Sequence, residues 1–321
     1  MSLAAFTSMQ EISAAHQRWC ERLSQAWGHD PLPILDWLTG QQPAPLHHLL
    51  WLTREQEEDT SLRLQEATAE WLASPPDLPY TSGAAVTALL LAGMLEAKEH
   101  FDALRKDLRA RWQATPEAAA GEADLGTRIC GPHSAYRPID IQASKWARKF
   151  PPPAPADWEH WQRHILSHPD HGIAAPGMSR HGWATEFDIG RIDNQAFAPS
   201  GPLHLHFRYL QESAWRRGFF RPFKGLDDLP WAWREACQVK HGSCIVVVEE
   251  RWHWSYYPLA QAFWWLINQH WEAYLAHLRA AMTHHFPPPT PMALDRRISW
   301  IWHHLDVLHH GISLRFEGLS P

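Results

Sequence analysis

The chain has 321 residues, which is long for one compact domain and sufficient for two domains. Apolar residues make up 45% of the chain, so a sizeable core can form and disorder is not the default expectation. The 29 basic and 35 acidic residues leave a formal net charge of −6, which gives no reason to expect a nucleic-acid partner.

The cysteines and the N-terminus bear on the compartment. Four scattered cysteines do not predict a disulfide scaffold or a structural zinc motif; Cys237 and Cys244 could pair in an oxidising compartment, but free thiols are favoured. The first residues lack a basic segment followed by an apolar one, so we predict no signal peptide. The apolar run at 83–95, about thirteen residues, is too short to span a bilayer.

Residues 1–115 are predicted to form a helical N-terminal region. Apolar residues recur at three-to-four spacing over 61–73 and over 84–112, and Ser82 is a candidate N-cap for the second of these helices. Small, acidic and proline residues then predict a linker over 116–126.

The sequence pattern of residues 127–260 predicts an α+β domain with a small, largely antiparallel sheet. Segments of helical character, 145–150 and 209–218, lie among segments of strand character, and the prolines of 151–158 predict a surface loop. Residues 261–321 are predicted to be a helical C-terminal extension. The predicted strand segments are 127–130, 184–189, 203–207 and 243–250.

The stretch "MSRHGWATEFDIG", residues 178–190, holds two candidate metal ligands, His181 and Asp188. A hydrolytic zinc site needs about three protein ligands and one open position. Because side chains alternate along a strand, Glu186 is expected on the same face as Asp188. The alternative is a polar turn that leads into a strand, with ordinary surface groups.

The stretch "EERWHWSYY", residues 249–257, offers a third ligand in His253, which follows the apolar run "CIVVV". Glu250, three residues earlier, is a candidate general base. Twenty tryptophans and 23 histidines weaken any motif made of these residue types. In "SAYRPIDIQ", Arg137 is suited to a carboxylate or a developing oxyanion, and a surface salt bridge is the alternative.

Other histidines compete for the metal. His204 and His206 in "LHLH" would share one face of a strand, an arrangement that can bind a metal ion. Three His-His pairs near predicted helix ends have no carboxylates at motif spacing, and we interpret them as structural or solvated. These pairs are His284–His285, His303–His304 and His309–His310.

The order of three segments, "AYRPIDIQ", "SRHGWATEFD" and "ERWHWSY", resembles the zinc-dependent D-alanyl-D-alanine carboxypeptidases of the vancomycin-resistance type. That family lies in the D-Ala-D-Ala peptidase and hedgehog-like fold group. Its corresponding motifs are G-Y-R-S-x-x-x-Q, S-x-H-x-x-G-x-A-x-D and E-x-W-H-x-x-Y. "AAPGMS" (174–179) and "YLQESAWRRGFFRPF" (209–223) are also similar to family segments, so the resemblance covers about 127–260.

The resemblance implies a role for each matching residue. His181, Asp188 and His253 would bind Zn²⁺, Glu250 would be the catalytic base, and Arg137 would contact the substrate carbonyl or stabilise the tetrahedral intermediate. The substrate would be a peptidoglycan stem peptide, cut at a bond next to a D-amino acid. Three further residues match motif positions near the substrate: Ser179, Gln142 and Tyr256. The role of Tyr256 would be either substrate-binding or structural.

Three positions depart from the family pattern: Ala184 for glycine, Glu186 for alanine and Arg251 for the common proline. Ala184 matters only if its backbone needs a positive φ. Glu186 is expected to narrow the pocket, bind a substrate amine or compete as a ligand. Our hypothesis is that it alters substrate choice without abolishing metal binding.

Several readings of the whole chain stay open. A D,D-carboxypeptidase or endopeptidase is favoured over an L-alanyl-D-glutamate endopeptidase, and a catalytically degenerate cell-wall-binding or delivery module is the alternative of another class. Without a signal peptide, a phage lysin or an injected effector would reach the cell wall or periplasm by a non-classical route. The helical regions would then dock a secretion-system or immunity partner, or they are a helical shell around the catalytic domain.

Overall fold

The computed structural model describes residues 4–41, 83–121, 123–124, 126–130, 134–149, 174, 176–222 and 249–285. Several predictions fall outside these residues: the helix over 61–73, the Ser82 cap, the loop at 151–158, most of the strand at 243–250, the pairing of Cys237 with Cys244, and the histidine pairs after residue 300.

Helices dominate the described residues and flank one small sheet. The helices are α1 (Met9–His29), α2 (Leu32–Leu38), α3 (Gly83–Gln113), α4 (Pro116–Ala119), α5 (Ile139–Lys149), α6 (His204–Ser213), α7 (Tyr257–Gln269) and α8 (Trp271–His285). Three 3-10 turns lie at Arg180–Trp183, Asn194–Phe197 and Ala214–Arg217. The strands are β1 (Glu186–Asp188), β2 (Phe219–Phe220) and β3 (His253–Tyr256).

The sheet has the order β1-β3-β2, and both pairings are antiparallel. This confirms the α+β class and the strand predicted within 184–189. The register places Asp188 opposite His253 and Glu186 opposite Ser255. Residues 127–130 contribute one bridge, between Ile129 and Ile189. The two motifs that hold the candidate ligands are therefore neighbouring strands.

The strand predicted at 203–207 is wrong, because α6 begins at His204. The buried positions Leu203, His206, Phe207 and Leu210 have the i, i+3, i+4, i+7 spacing of a helix, and this pattern outweighs the short alternation of "LHLH". His206 packs inside against Trp112 and Asp124, whereas the neighbouring Leu205 is exposed. The expected pair of histidines on one strand face does not form.

One hydrophobic cluster runs from α1 to α8 and includes the sheet. Helix α1 packs along α7, and Phe101 of α3 packs on the face of the sheet that lies away from the candidate ligands. There Phe101 stacks on Phe187, with ring centroids 3.9 Å apart. The described helices before residue 115 and after 260 thus share their core with the sheet. No helix among the described residues combines the length and apolar composition needed to cross a bilayer.

His100 makes the free energy of unfolding sensitive to acid. Its ring lies between Phe6 and Tyr256, with centroids 5.2 and 5.1 Å away, and burial together with the charge of Arg217 lowers its pKa to about 4. The unfolded chain takes up this proton near pH 6.5, so the folded state loses stability as the pH falls from 6.5 through 4. At pH 4.5 the loss attributable to His100 is about 2–3 kcal/mol.

We therefore expect His100→Phe to gain about 2–3 kcal/mol relative to wild type between pH 7.5 and pH 4.5. Urea unfolding of both proteins at the two pH values measures this difference, and acid-sensitive groups common to both proteins cancel. A constant difference between variant and wild type at the two pH values would contradict the assignment.

Candidate active site

Two antiparallel strands and one 3-10 turn bring the candidate ligands together. Asp188 ends β1 and His253 begins β3, directly opposite each other. His181 lies in the 3-10 turn before β1, and the left-handed backbone of Ala184 (φ 59°, ψ 26°) redirects the chain from this turn into the strand. All three ligand side chains are buried.

The distances within the cluster suit a tetrahedral metal site. One ligand atom from each of His181, Asp188 and His253 lies within 4.8 Å of the others. His181 Nε2 is 3.3 Å from Asp188 Oδ2, and His253 Nδ1 is 3.1 Å from Asp188 Oδ1. Ligands at the usual zinc distances of about 2.0–2.1 Å in a tetrahedron are separated by about 3.3 Å. The cluster needs little rearrangement to close on an ion.

The hydrogen-bonding state of these atoms also fits a metal. Asp188 Oδ1, which faces the cluster, is buried and has no aligned hydrogen-bond partner among the described residues. Such an orphaned polar atom is costly without an ion or water to bind it. Burial lowers the pKa of His181 to about 4, which favours the neutral ring that a metal ligand requires. Burial alone would raise the pKa of Asp188, but the histidine rings beside it hold that pKa well below its usual range.

Glu250 lies beside the cluster on the same edge of the His253 ring as Asp188. Its Oε2 is 3.1 Å from His253 Nδ1. Its side chain keeps 18% of its surface exposed, so a substrate or water can reach it, whereas Asp188 keeps only 4%. Burial raises the pKa of the Glu250 carboxyl above its ordinary value. A carboxylate in this position suits proton transfer at a metal site.

Arg137 reaches the cluster from the segment before α5. Its backbone N–H donates to the His181 carbonyl at 3.1 Å, and its Nη2 lies 3.9 Å from Asp188 Oδ2. Gln142 accepts from Arg137 Nη1 at 3.2 Å and donates its own amide to the Ala174 carbonyl. Because Gln142 is almost fully buried, its contacts orient the guanidinium rather than reach outward.

Ser179 and Tyr256 occupy different surroundings. Ser179 is buried directly before the 3-10 turn, and its carbonyl accepts from the Gly182 N–H at 2.9 Å. Tyr256 projects from the face of β3 opposite to His253, because side chains alternate along the strand. Its hydroxyl donates to Glu96 at 2.7 Å. This placement favours the structural reading of Tyr256.

Glu186 shares a face with Asp188, yet it lies on the opposite edge of the His253 ring from that ligand. Its Oε2 is 2.7 Å from His253 Nε2. Its Oε1 accepts from Arg180, Ser255 and Thr185 at 2.7–3.1 Å. The side chain is fully buried, and both of its oxygens already have protein partners. The structure therefore gives no support to a direct contact between Glu186 and a substrate or metal.

Residues 102–259 match the family model VanY, D-alanyl-D-alanine carboxypeptidase. This match supports a peptidase of that family in this part of the chain. The match spans just under half of the chain and contains Arg137, Glu250 and all three residues of the metal cluster. It begins within α3, so this long helix crosses the start of the match. No curated protein and no solved structure matches the chain significantly.

Two of the departures from the D-alanyl-D-alanine carboxypeptidase pattern have a clear structural setting. Ala184, at the family glycine position, has a positive φ, where a residue with a Cβ is strained by about 1–2 kcal/mol. Arg251, at the proline position, donates from Nε to Glu249 Oε1 at 3.0 Å. Arg221 donates to the same oxygen at 2.7 Å. These contacts link the side chains of the two residues that flank Glu250.

Sequence reasoning missed the residues that hold this segment and the ring of His253. Asn194 accepts from the Arg251 N–H at 3.0 Å and donates to the Glu249 carbonyl. Arg180 and Ser255 are the partners of Glu186. No motif marks them. Asn194 lies 55 residues before Glu249 and Ser255 lies 69 residues after Glu186, so these contacts depend on the tertiary structure.

We expect Asn194→Ala to lower kcat roughly 10-fold to 100-fold, because the carboxylate of Glu250 would no longer be held in one position. The zinc content should stay unchanged, since Asn194 contacts none of the candidate ligands. Steady-state kinetics on a D-Ala-D-Ala peptide and metal analysis of the same sample measure both quantities. Unchanged kcat would show that this pair of hydrogen bonds has no role in positioning Glu250.

Proposed function

We propose that this protein is a zinc metallopeptidase that hydrolyses peptidoglycan stem peptides at a bond next to a D-amino acid, as a D,D-carboxypeptidase or endopeptidase. One observation carries the proposal: a buried cluster of His181, Asp188 and His253 has Glu250 at its partly exposed side. Two imidazoles and one carboxylate form a donor set typical of catalytic zinc, which keeps a further position open.

The residues of the chain have separate tasks in such a hydrolysis. When bound, zinc supplies Lewis-acid chemistry at the scissile carbonyl and at the attacking water. Glu250 accepts the proton of the water at its carboxylate and returns it to the leaving amine. Arg137 donates hydrogen bonds to the carbonyl oxygen as negative charge develops there, and its guanidinium stays protonated throughout. Gln142 holds that guanidinium in place.

The two candidate peptidase functions differ in the peptide bond that is cleaved. Family membership supports a bond next to a D-alanine. The alternative, cleavage between L-alanine and D-glutamate, uses the same ligands and base. We also propose that Ser179 and Gln142 contribute to substrate binding. Gln142 would do so indirectly, by orienting Arg137.

A degenerate cell-wall-binding or delivery module is the alternative of another class. The presence of all three ligands and the base, with their atoms in mutual reach, favours the enzyme. We place the activity in the periplasm or cell wall, where peptidoglycan lies, as an effector or a lysin. The shared core of the flanking helices and the sheet supports the helical-shell reading over free docking arms for a secretion-system or immunity partner.

Digestion of purified sacculi tests the proposal. We expect the zinc-loaded protein to release fragments that mass spectrometry assigns to one bond: free D-alanine for a carboxypeptidase, separated cross-links for an endopeptidase. Cleavage between L-alanine and D-glutamate would establish the alternative peptidase. No release from any sacculus, by a protein that holds one zinc ion per chain, would overturn the peptidase function.

A further inference from the structure

His253 is held on both edges of its ring by carboxylates. Nδ1 faces Asp188 Oδ1 and Glu250 Oε2, each at 3.1 Å, and Nε2 faces Glu186 Oε2 at 2.7 Å. Nδ1 is therefore the nitrogen directed at the metal cluster. Nε2 is directed away from the cluster, into the interior of the protein.

Glu186 is itself fixed by a buried network behind His253. Arg180 donates to Glu186 Oε1 from Nε and Nη2, at 3.1 and 2.9 Å, and Ser255 contacts the same oxygen at 2.7 Å. Arg180 Nη2 also donates to Ser255 at 2.7 Å. The Arg180 side chain is 3% exposed, and Glu186 is not exposed at all.

A pair of opposite charges in this position needs a reason, because two buried ions gain little net stability over apolar residues of the same size. The network leaves one carboxylate oxygen, Glu186 Oε2, for the N–H of a single ring nitrogen. A ligating histidine whose second nitrogen donates to a carboxylate is fixed in tautomer and orientation, and it is a more basic ligand.

We propose that Glu186 is a positioning residue of the metal centre: it accepts the Nε2–H of His253 and so keeps Nδ1 of that ring directed at the metal. This rests on the proposed zinc site. It gives the carboxylate at the family's alanine position a role in metal affinity, instead of the contact with substrate expected from the sequence.

Zinc affinity of paired variants tests the positioning role. Arg180→Met with Glu186→Leu removes the acceptor and the opposite charge together, so no lone buried ion remains. Arg180→Met with Glu186→Gln also removes both charges but keeps an oxygen for the Nε2–H. Competition with a chelator should show a zinc affinity 10-fold to 100-fold weaker for the first double variant and within about 5-fold of wild type for the second.

A matched control comes from a second pair of histidine and carboxylate, in which the histidine is buried and the carboxylate is partly buried. His206 Nε2 lies 3.1 Å from Asp124 Oδ1, and neither residue belongs to the metal cluster. Asp124→Asn should leave the zinc affinity unchanged. This control separates the loss of the acceptor of His253 from a general effect of removing a carboxylate that pairs with a buried histidine.

The nitrogen spectrum of zinc-loaded, ¹⁵N-labelled wild type gives a reading that depends on no variant. We expect a slowly exchanging ring proton on Nε2 of His253 and a metal-bound Nδ1. A proton on Nδ1, with Nε2 bound to the metal, would overturn the inference even if a double variant failed to fold.

The outcomes separate this inference from the proposed function. Wild type that binds no stoichiometric zinc would overturn both. Wild type that binds zinc, with equal affinity in the Leu double variant or equal loss in both double variants, would overturn the role of Glu186 and leave the zinc peptidase standing.

Discussion

Replacing Glu250 with glutamine is expected to lower kcat by about 10²-fold to 10⁴-fold, the usual contribution of a general acid-base group. Glutamine has nearly the same shape and keeps an oxygen near His253 Nδ1, but it cannot accept the proton of the attacking water. The three candidate ligands are untouched, so zinc should remain bound. The rate of D-alanine release from a stem pentapeptide, together with metal analysis, measures the two effects separately.

The control for this variant is Glu212→Gln. Glu212 is an exposed carboxylate that pairs with Arg208 on α6 and takes no part in the metal cluster. Its replacement should leave kcat unchanged. If Glu250→Gln kept kcat within about threefold of wild type with zinc bound, the general base would have to be another group.

Removing Asp188 is expected to abolish zinc-dependent stability. A ligand present at about 1,000 times its dissociation constant adds about 4 kcal/mol to the free energy of unfolding of a protein that binds it only when folded. Asp188 lies between both histidines of the cluster, at 3.3 Å from His181 and 3.1 Å from His253. Asp188→Ala should therefore unfold at the same denaturant concentration with zinc or with chelator, whereas wild type should be stabilised by zinc.

His277→Ala is the matched control, because His277 also pairs with an aspartate, Asp36, at 2.9 Å, but no third ligand lies beside them in the part of the chain that the structure describes. It should keep the full zinc effect on denaturant unfolding. Equal stabilisation by zinc in Asp188→Ala and in wild type would show that the ion binds elsewhere.

The spacing of apolar residues predicted the helices and strands that have one buried and one exposed face. The three-to-four spacing of apolar residues predicted the helix that the structure places at Gly83–Gln113, and the aromatic and β-branched stretch predicted β1. The strand prediction at 203–207 failed because the alternation of "LHLH" covers only four residues. The burial of His206, Phe207 and Leu210 beside the exposed Leu205 is the pattern of a helix.

Some residues of the candidate site could be predicted from the sequence, whereas the contacts of others could not. His181, Asp188, His253 and Glu250 could be singled out from the sequence because metal ligands and bases are restricted to few residue types at motif spacing. The structure places these four side chains in mutual reach. The alternation of side chains along a strand correctly predicted that Glu186 shares a face with Asp188, but the hydrogen-bond partners of Glu186 could not be predicted from the sequence.

The sequence by itself determined the family resemblance, the α+β class and the residue types able to hold a metal, because these depend on composition and short-range spacing. The tertiary structure alone decided what Glu186 contacts. The antiparallel register of β1 and β3 sets Glu186 opposite Ser255 and beside His253, 67 residues further along the chain. Such pairings depend on strand register and packing, which no local pattern encodes.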